Sequence, residues 1–340
     1  VIDFFRSLDR RGVVAGLAAM GLLALGIVVG SQNLRHYDPV LLTYTFGVLF
    51  SAFAIAYRYA VWLQRPPTRL YARRSWELAR RPGAWLFLAR AALTNLAAQR
   101  FIRRRGRRRW LTHFLIAWGC VLAGAVTIPL VFGWLHLGTR ADDPSVYTVH
   151  LLNLKVGEFG AGSAGRFVFF NLLNLSAVMV IVGSLMALHR RLREPGAISR
   201  QQFGNDVVPL ILLLAISATG LMLTFSMHAL QGYAYGAISL VHALTVTSAL
   251  LYIPYGKFFH VFQRPLQLGV ALYRRDNASG PRARCEDCGA AFASETHLTD
   301  LRTVLDEMDL GNEAALTRCP ACRRKRLGAT HERLVQEARR

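Results

Sequence analysis

The sequence lacks the motifs by which most soluble enzymes show their chemistry. It has no P-loop, no nucleophile elbow and no HExxH, which removes the nucleotide-phosphate, serine-hydrolase and zinc-protease readings. No CxxCxxCxxxC run is present, so no ferredoxin-type cluster is expected in this chain. GAGSAG at 160–165 matches GxGxxG, but it follows no expected strand and precedes an apolar run, so it is not read as a dinucleotide site. Lysine is nearly missing: 41 basic residues and 20 acids give +21, and all but Lys155, Lys257 and Lys325 of the bases are arginine. Cysteine is scarce too. Four of the five cysteines form two CxxC pairs near the C-terminus, a pattern for metal rather than a disulfide framework.

Such a basic balance suggests nucleic acid or an anionic membrane surface, and its distribution decides between them. The arginines lie in blocks between apolar runs. Six runs, at 13–30, 40–64, 111–137, 166–188, 207–228 and 237–260, reach the roughly 18 residues that span a bilayer as a helix. A signal peptide is the rival for the first, but no clean cleavage site follows it. The fold class expected is therefore an all-α membrane protein with about six transmembrane helices.

Loop charge orients the chain. Residues 65–110 hold 14 arginines against Glu77, and the loop after 188 and the tail are also basic. The alternate loops, including 138–165, are not. Both termini are thus expected in the cytoplasm of a bacterial or archaeal cell, in a multi-pass protein. The 65–110 connector mixes apolar and basic positions and reads as amphipathic helices on the inner membrane face. RNA binding is the rival for RRRGRRRW, but a basic block beside a membrane helix already has a topological role, so no nucleic-acid partner is expected.

The last apolar run carries His242 and His260. Eighteen residues make five whole turns, which puts both on one face about 27 Å apart. Imidazole in a membrane helix is costly and usually faces a partner inside the bundle. Two on one face near opposite membrane surfaces suit two stacked haems, although interfacial histidines bonded to backbone or water would share the spacing. Pro254 between them makes the phase approximate. His113, just after the arginine block, lies at the depth of His260 and is the expected partner for an inner haem. His189 is the competitor. For an outer haem His242 has His228, His136 or His150 to choose from, and His228 is preferred because the short turn ALQGYAYG brings it back beside His242.

These residues resemble the membrane cytochrome b family that includes the gamma subunit of respiratory nitrate reductase and the membrane subunits of heterodisulfide-reductase-type complexes. The likeness covers about residues 111–265. It rests on His113 opening a helix, LHRRLREP closing another, the paired histidines of the last helix, and YIPYGKFFH with Pro254 and Lys257 before His260. The resemblance implies a dihaem b anchor that exchanges electrons between a membrane quinone and a cytoplasmic iron–sulfur or molybdenum oxidoreductase subunit. The family has a second histidine ten residues after the first; here that position is Ala123, which leaves the outer haem's ligation, and its presence, open. The helices before residue 65 and the cysteine tail are not part of the nitrate reductase pattern and favour the heterodisulfide-reductase-like branch or a less common relative.

Cys285, Cys288, Cys319 and Cys322 can close a tetrahedral site. Zinc in a small zinc-ribbon-like domain is the expectation. Rubredoxin-type iron shares the CxxCG…CPxC pattern, but only Phe292 is aromatic between the knuckles and LTDLRTVLDEMDL reads as an amphipathic helix. Four regions result: two helices in 1–64, the connector 65–110, a four-helix haem-bearing region 111–262 and a metal-binding tail 263–340. A transporter or sensor with a regulatory zinc tail is the alternative function.

Overall fold

A computed structural model describes residues 9–37, 41–152, 154–199, 201–311 and 316–338. Val40, which opens the second apolar run, lies outside them. The chain is mostly helical. Its principal elements are α1 (Arg10–Gly30), α2 (Leu42–Gln64), α3 (Pro66–Ala79), α4 (Ala84–Ala92) and α5 (Arg107–Val131). Three strands follow, β1 (Leu135–Thr139), β2 (Val146–Leu151) and β3 (Leu154–Gly160), then α6 (Ala164–Arg193), α7 (Val208–Ala229) and α8 (Tyr235–Tyr252). The tail adds α9 (Leu266–Ala278), β4 (Arg282–Arg284), β5 (Ala291–Ser294), α10 (Glu295–Glu307) and α11 (Pro320–Glu337). Two compact units result: residues up to 60 with 97–262, and residues 61–96 with the chain from 263 onward.

The first unit contains α1, α2 and α5 to α8, all long and apolar enough to cross a membrane, with α7 counted together with the π-helical turn Phe203–Val207 before it. Val14, Leu22, Phe46, Val121, Phe167, Leu185 and Leu240 point outward from these helices, exposed. In water such faces would drive association; in hydrocarbon they are solvated, and a helix satisfies its own backbone there. Six such helices among the described residues suggest a multi-pass membrane protein.

Small residues set the closest approach. A Cβ on Gly119 of α5 would stand 2.6 Å from Val180 of α6, and one on Gly183 of α6 would stand 2.7 Å from Ile116 and 3.0 Å from the Thr112 carbonyl of α5. Each helix thus places a glycine under the other's side chains, the arrangement by which membrane helices gain dispersion contact. Asn174 of α6 accepts a hydrogen bond from Thr224 of α7 at 2.9 Å.

Three departures from the sequence reading have local causes. The third span ends at Val131 rather than 137, because Phe132 caps it and Gly133 turns at φ +67°. Residues 138–165, expected as a loop between spans, contribute to an antiparallel meander, β1-β2-β3; the β-branched and aromatic run VYTV favours a pleated strand. GAGSAG therefore does follow a strand, but one in an antiparallel sheet leading to a membrane-length helix, not a βαβ unit. Finally, α8 stops at Tyr252. Pro254 removes an N–H and crowds the Leu250 carbonyl, which instead accepts from Ser51 Oγ at 2.5 Å. A 3₁₀ turn at Lys257–Phe259 and a short helix from His260 follow, so His242 and His260 do not share one helix face.

The second unit joins α3 and α4 to α9, α10, α11 and the β4–β5 hairpin. Leu78, Ala84, Leu272 and Tyr273 form its core, with Tyr71, Phe87 and Leu88 against them. Asp300 of α10 is buried there; it receives Arg74 of α3 at 2.8 Å and the Tyr273 hydroxyl at 2.8 Å. In the structure residues 61–96 of the basic connector are thus a partner of the tail, through apolar contact and a shared buried carboxylate.

Candidate metal and cofactor sites

The β4–β5 hairpin presents Cys285 and Cys288 in a knuckle closed by Gly289 at φ +71°. Cys319 caps the N-terminus of α11 and Cys322 lies in its first turn. The four sulfurs all lie within 4.8 Å of one another, and Cys288 and Cys319 are 3.8 Å apart. Four sulfurs about 2.3 Å from one ion are about 3.8 Å apart, so the group could bind a metal such as zinc. Backbone amides supply part of the setting. The Cys319 N–H donates to Cys285 Sγ at 3.2 Å and, with the Cys288 and Asp287 amides, lowers that thiol's pKa to about 6. The neighbouring Cys288 and Cys319 sulfurs push Cys322 up to about 12, the mutual opposition that a dication relieves. Asp287 then ties the two knuckles together, receiving Arg326 at 2.7 Å and Arg318 at 3.2 Å. That clamp is absent from the sequence reading, although its signal, acids in the first CxxC and bases after the second, is visible.

The structure brings His113 of α5 and His260 together. Their ring centroids are 6.5 Å apart and their planes cross at 64°. Two imidazoles on opposite sides of one metal ion, with bonds of about 2 Å, have centroids about 6.4 Å apart. His113 Nδ1 is 2.9 Å from the side-chain oxygen of Gln99, which is buried. His260 Nδ1 lies against the Lys257 carbonyl. With Nδ1 as donor in both rings, Nε2 carries each lone pair, the tautomer that a ligating histidine needs.

The turn bearing His260 is anchored from two sides. Asp206, buried in the π-helical turn before α7, receives Lys257, Arg191 at 3.1 Å and the Gln202 amide at 2.9 Å. Arg58 of α2 donates to the Pro254 carbonyl, and its guanidinium sits 4.2 Å over the Phe259 ring. Gln99 and Asp206 approach from distant segments, and no local pattern marks either.

The other histidines separate into two groups. His242 Nδ1 meets Thr219 of α7 at 2.8 Å. His228 is nine residues further along α7, about 13 Å on the helix axis, and the two are not brought together. His228 instead lines a cavity of about 680 Å³ at the ends of α6 and α7, with Arg166, Phe170, Asn174 and Tyr235. His136 and His150 do not face His242 either; they stack on each other, with His36 beside His136. Burial, then His36 and His150, holds the His136 pKa below the ordinary imidazole value. His189 is exposed on α6. Cys120 is half-buried inside α5.

No family model, no curated protein and no solved structure matches the chain.

Proposed function

We propose that the chain is a haem b membrane subunit that passes electrons between a membrane quinone and a cytoplasmic oxidoreductase partner. The His113–His260 pair carries this reading, because its centroid separation and its two engaged Nδ1 atoms suit a pair of imidazoles that would hold one iron between them. Bound there, haem supplies one-electron chemistry whose potential its surroundings tune. The chain's own residues orient and anchor. Gln99 fixes the His113 ring, the Lys257 carbonyl fixes His260, and Asp206 and Arg58 hold the turn in place. One haem is proposed. His242 has Thr219 as its neighbour rather than a second imidazole, and the family's further histidine is Ala123.

The cavity beside His228 is the proposed quinone site. Phe167, Phe170 and Met227 give it an apolar wall, while Asn174, His228 and Tyr235 offer hydrogen bonds for a polar ring. The arginine-rich end of the bundle is assigned to the cytoplasm by loop charge. The cysteine group is assigned zinc in a ribbon-like fold that shapes the docking unit for the partner; rubredoxin-type iron is the alternative. A transporter or sensor is the second reading, favoured by the His242–Thr219 contact inside a membrane-length helix, where imidazole can relay protons. Adding a short-chain quinol to the detergent-solubilised protein tests the proposal. Reduction of a b-type absorbance band is expected. A haem that dithionite reduces and quinol does not would remove the quinone role.

A further inference from the structure

Helix α4 is apolar on two sides, and the second unit covers only one of them. Ala84 and Ala91 are buried, and Phe87 and Leu88 pack against the core formed with Leu78, Leu272 and Tyr273. Arg275 of α9 sits 4.8 Å over the Phe87 ring. The helical period puts Trp85, Leu86, Ala89, Arg90 and Leu93 on the opposite side. Trp85 is 68% exposed, Leu86 59% and Leu93 65%, and Ala89 and Arg90 are exposed with them. Large apolar side chains gathered on one exposed stripe mark a surface that meets something apolar.

Chain continuity and charge identify what meets it. Helix α2, long and apolar enough to cross a membrane, ends at Gln64, and Arg65 alone separates it from α3 of the second unit. The segment that carries α4 thus leaves one membrane-length helix, α2, and leads into another, α5. No acid lies between Glu77 and Asp142, whereas Arg80, Arg81 and Arg90 flank the stripe in sequence. Arg81 is taken up by Asp276 at 2.7 Å; Arg90 stands exposed at the edge of the stripe. Tryptophan concentrates at the membrane–water interface, and an apolar stripe edged by arginine suits a helix lying in that plane. A second copy of the chain would bring the same basic surface and the same sign of charge.

We propose that the Trp85–Leu86–Leu93 face of α4 inserts into the interface of an anionic lipid bilayer, with Arg90 against the phosphate oxygens, and so moors the metal-binding unit to the membrane. The sequence marks the whole connector as amphipathic. The structure narrows the lipid contact to this stripe, because the other side of α4 is packed on α9 and Arg74 and Arg81 are engaged by Asp300 and Asp276. Insertion reaches about 5–10 Å into the boundary between headgroups and chains. The cysteine group then belongs to a unit held at the membrane. The proposal rests on the six apolar helices being membrane spans and not on the haem assignment.

The test is photolabelling of the full-length protein in nanodiscs of phosphatidylcholine and phosphatidylglycerol. A trace of either lipid carries a diazirine near its glycerol backbone, and labelled peptides are mapped by mass spectrometry. Label is expected on the 84–97 segment as well as on the spans. The Trp85→Asp/Leu86→Asp/Leu93→Asp variant changes only exposed side chains, and metal retained at the cysteine group reports that its second unit is folded. Its 84–97 label is expected to fall about tenfold or more, with the spans labelled as before. Arg90→Gln leaves the apolar stripe intact and is expected to cut the preference for the phosphatidylglycerol probe about fivefold. An unlabelled 84–97 segment beside labelled spans would overturn the proposal, and its protection on self-association would assign the face to a second copy. Equal labelling of the wild type and the triple variant would overturn it too. Unlabelled spans would remove the membrane reading, and this proposal with it.

Discussion

Replacing Gly183 by alanine pushes directly on the helix that carries His113. The added Cβ would stand 2.7 Å from Ile116 and 3.0 Å from the Thr112 carbonyl. Ordinary carbon contacts lie at about 3.5–4.0 Å, so α5 and α6 must part by up to about 1 Å. Overpacking of this kind costs about 1–3 kcal/mol. Thr112 is the residue before His113, so the same displacement disturbs the His113–His260 separation. The assay is unfolding in mixed micelles, with Gly21→Ala on α1 as control, since nothing lies within 4 Å of a Cβ there. Gly183→Ala is expected to lose about 1–3 kcal/mol and to weaken any ligand held between the two histidines, while Gly21→Ala loses neither. Equal stability of the two variants would refute the close α5–α6 crossing and the coupling drawn from it.

Other expectations concern the remaining sites. Metal analysis should find one metal per chain at the cysteine group, and Cys288→Ser or Cys322→Ser should abolish it; a full equivalent retained in both would contradict the assignment. Gln99→Leu removes the acceptor for His113 Nδ1, and loss of such a partner typically lowers metal affinity about 10–100-fold; haem retention during dilution reads this out. Burial holds the Tyr273 hydroxyl's pKa above its ordinary value of 10.0. The folded state therefore favours the neutral phenol, and its contribution is complete below pH 10.0 and lost as pH rises toward the folded value. Tyr273→Phe should make the alkaline loss of stability shallower, as followed by melting temperature against pH; identical profiles would exclude this tyrosine as the cause.

The parts that were legible in the sequence are those whose signal is local. Membrane-length helices announce themselves by unbroken apolar runs, and the cysteine group by two CxxC pairs whose ligands need only a hairpin and a helix start to converge. The meander around Val146–Val149 was not legible, because short strands in a polar stretch between two membrane helices look like a loop. His242 and His260 illustrate a different difficulty. Their spacing matches a helical period, but Pro254 ends the helix between them. Gln99 reaches His113 across a left-handed turn at φ 51°, and Asp206 reaches Lys257 from 51 residues away. Asp206 and Lys257 share no window of sequence, and Gln99, though 14 residues from His113, meets it through a turn that no local pattern announces. The same holds for His36, which joins His136 and His150 only because the turn after α1 docks beside Gly133.

The central claim is that His113 and His260 hold one haem. The most direct measurement is a dithionite-reduced minus oxidised spectrum with a pyridine haemochrome count per chain, on the wild type and on His113→Leu, His260→Leu and His242→Leu. The account predicts one b-type haem per chain, lost in the first two variants and kept in the third. No haem in protein made with haem available, or haem that survives in His113→Leu and His260→Leu but not in His242→Leu, would contradict it.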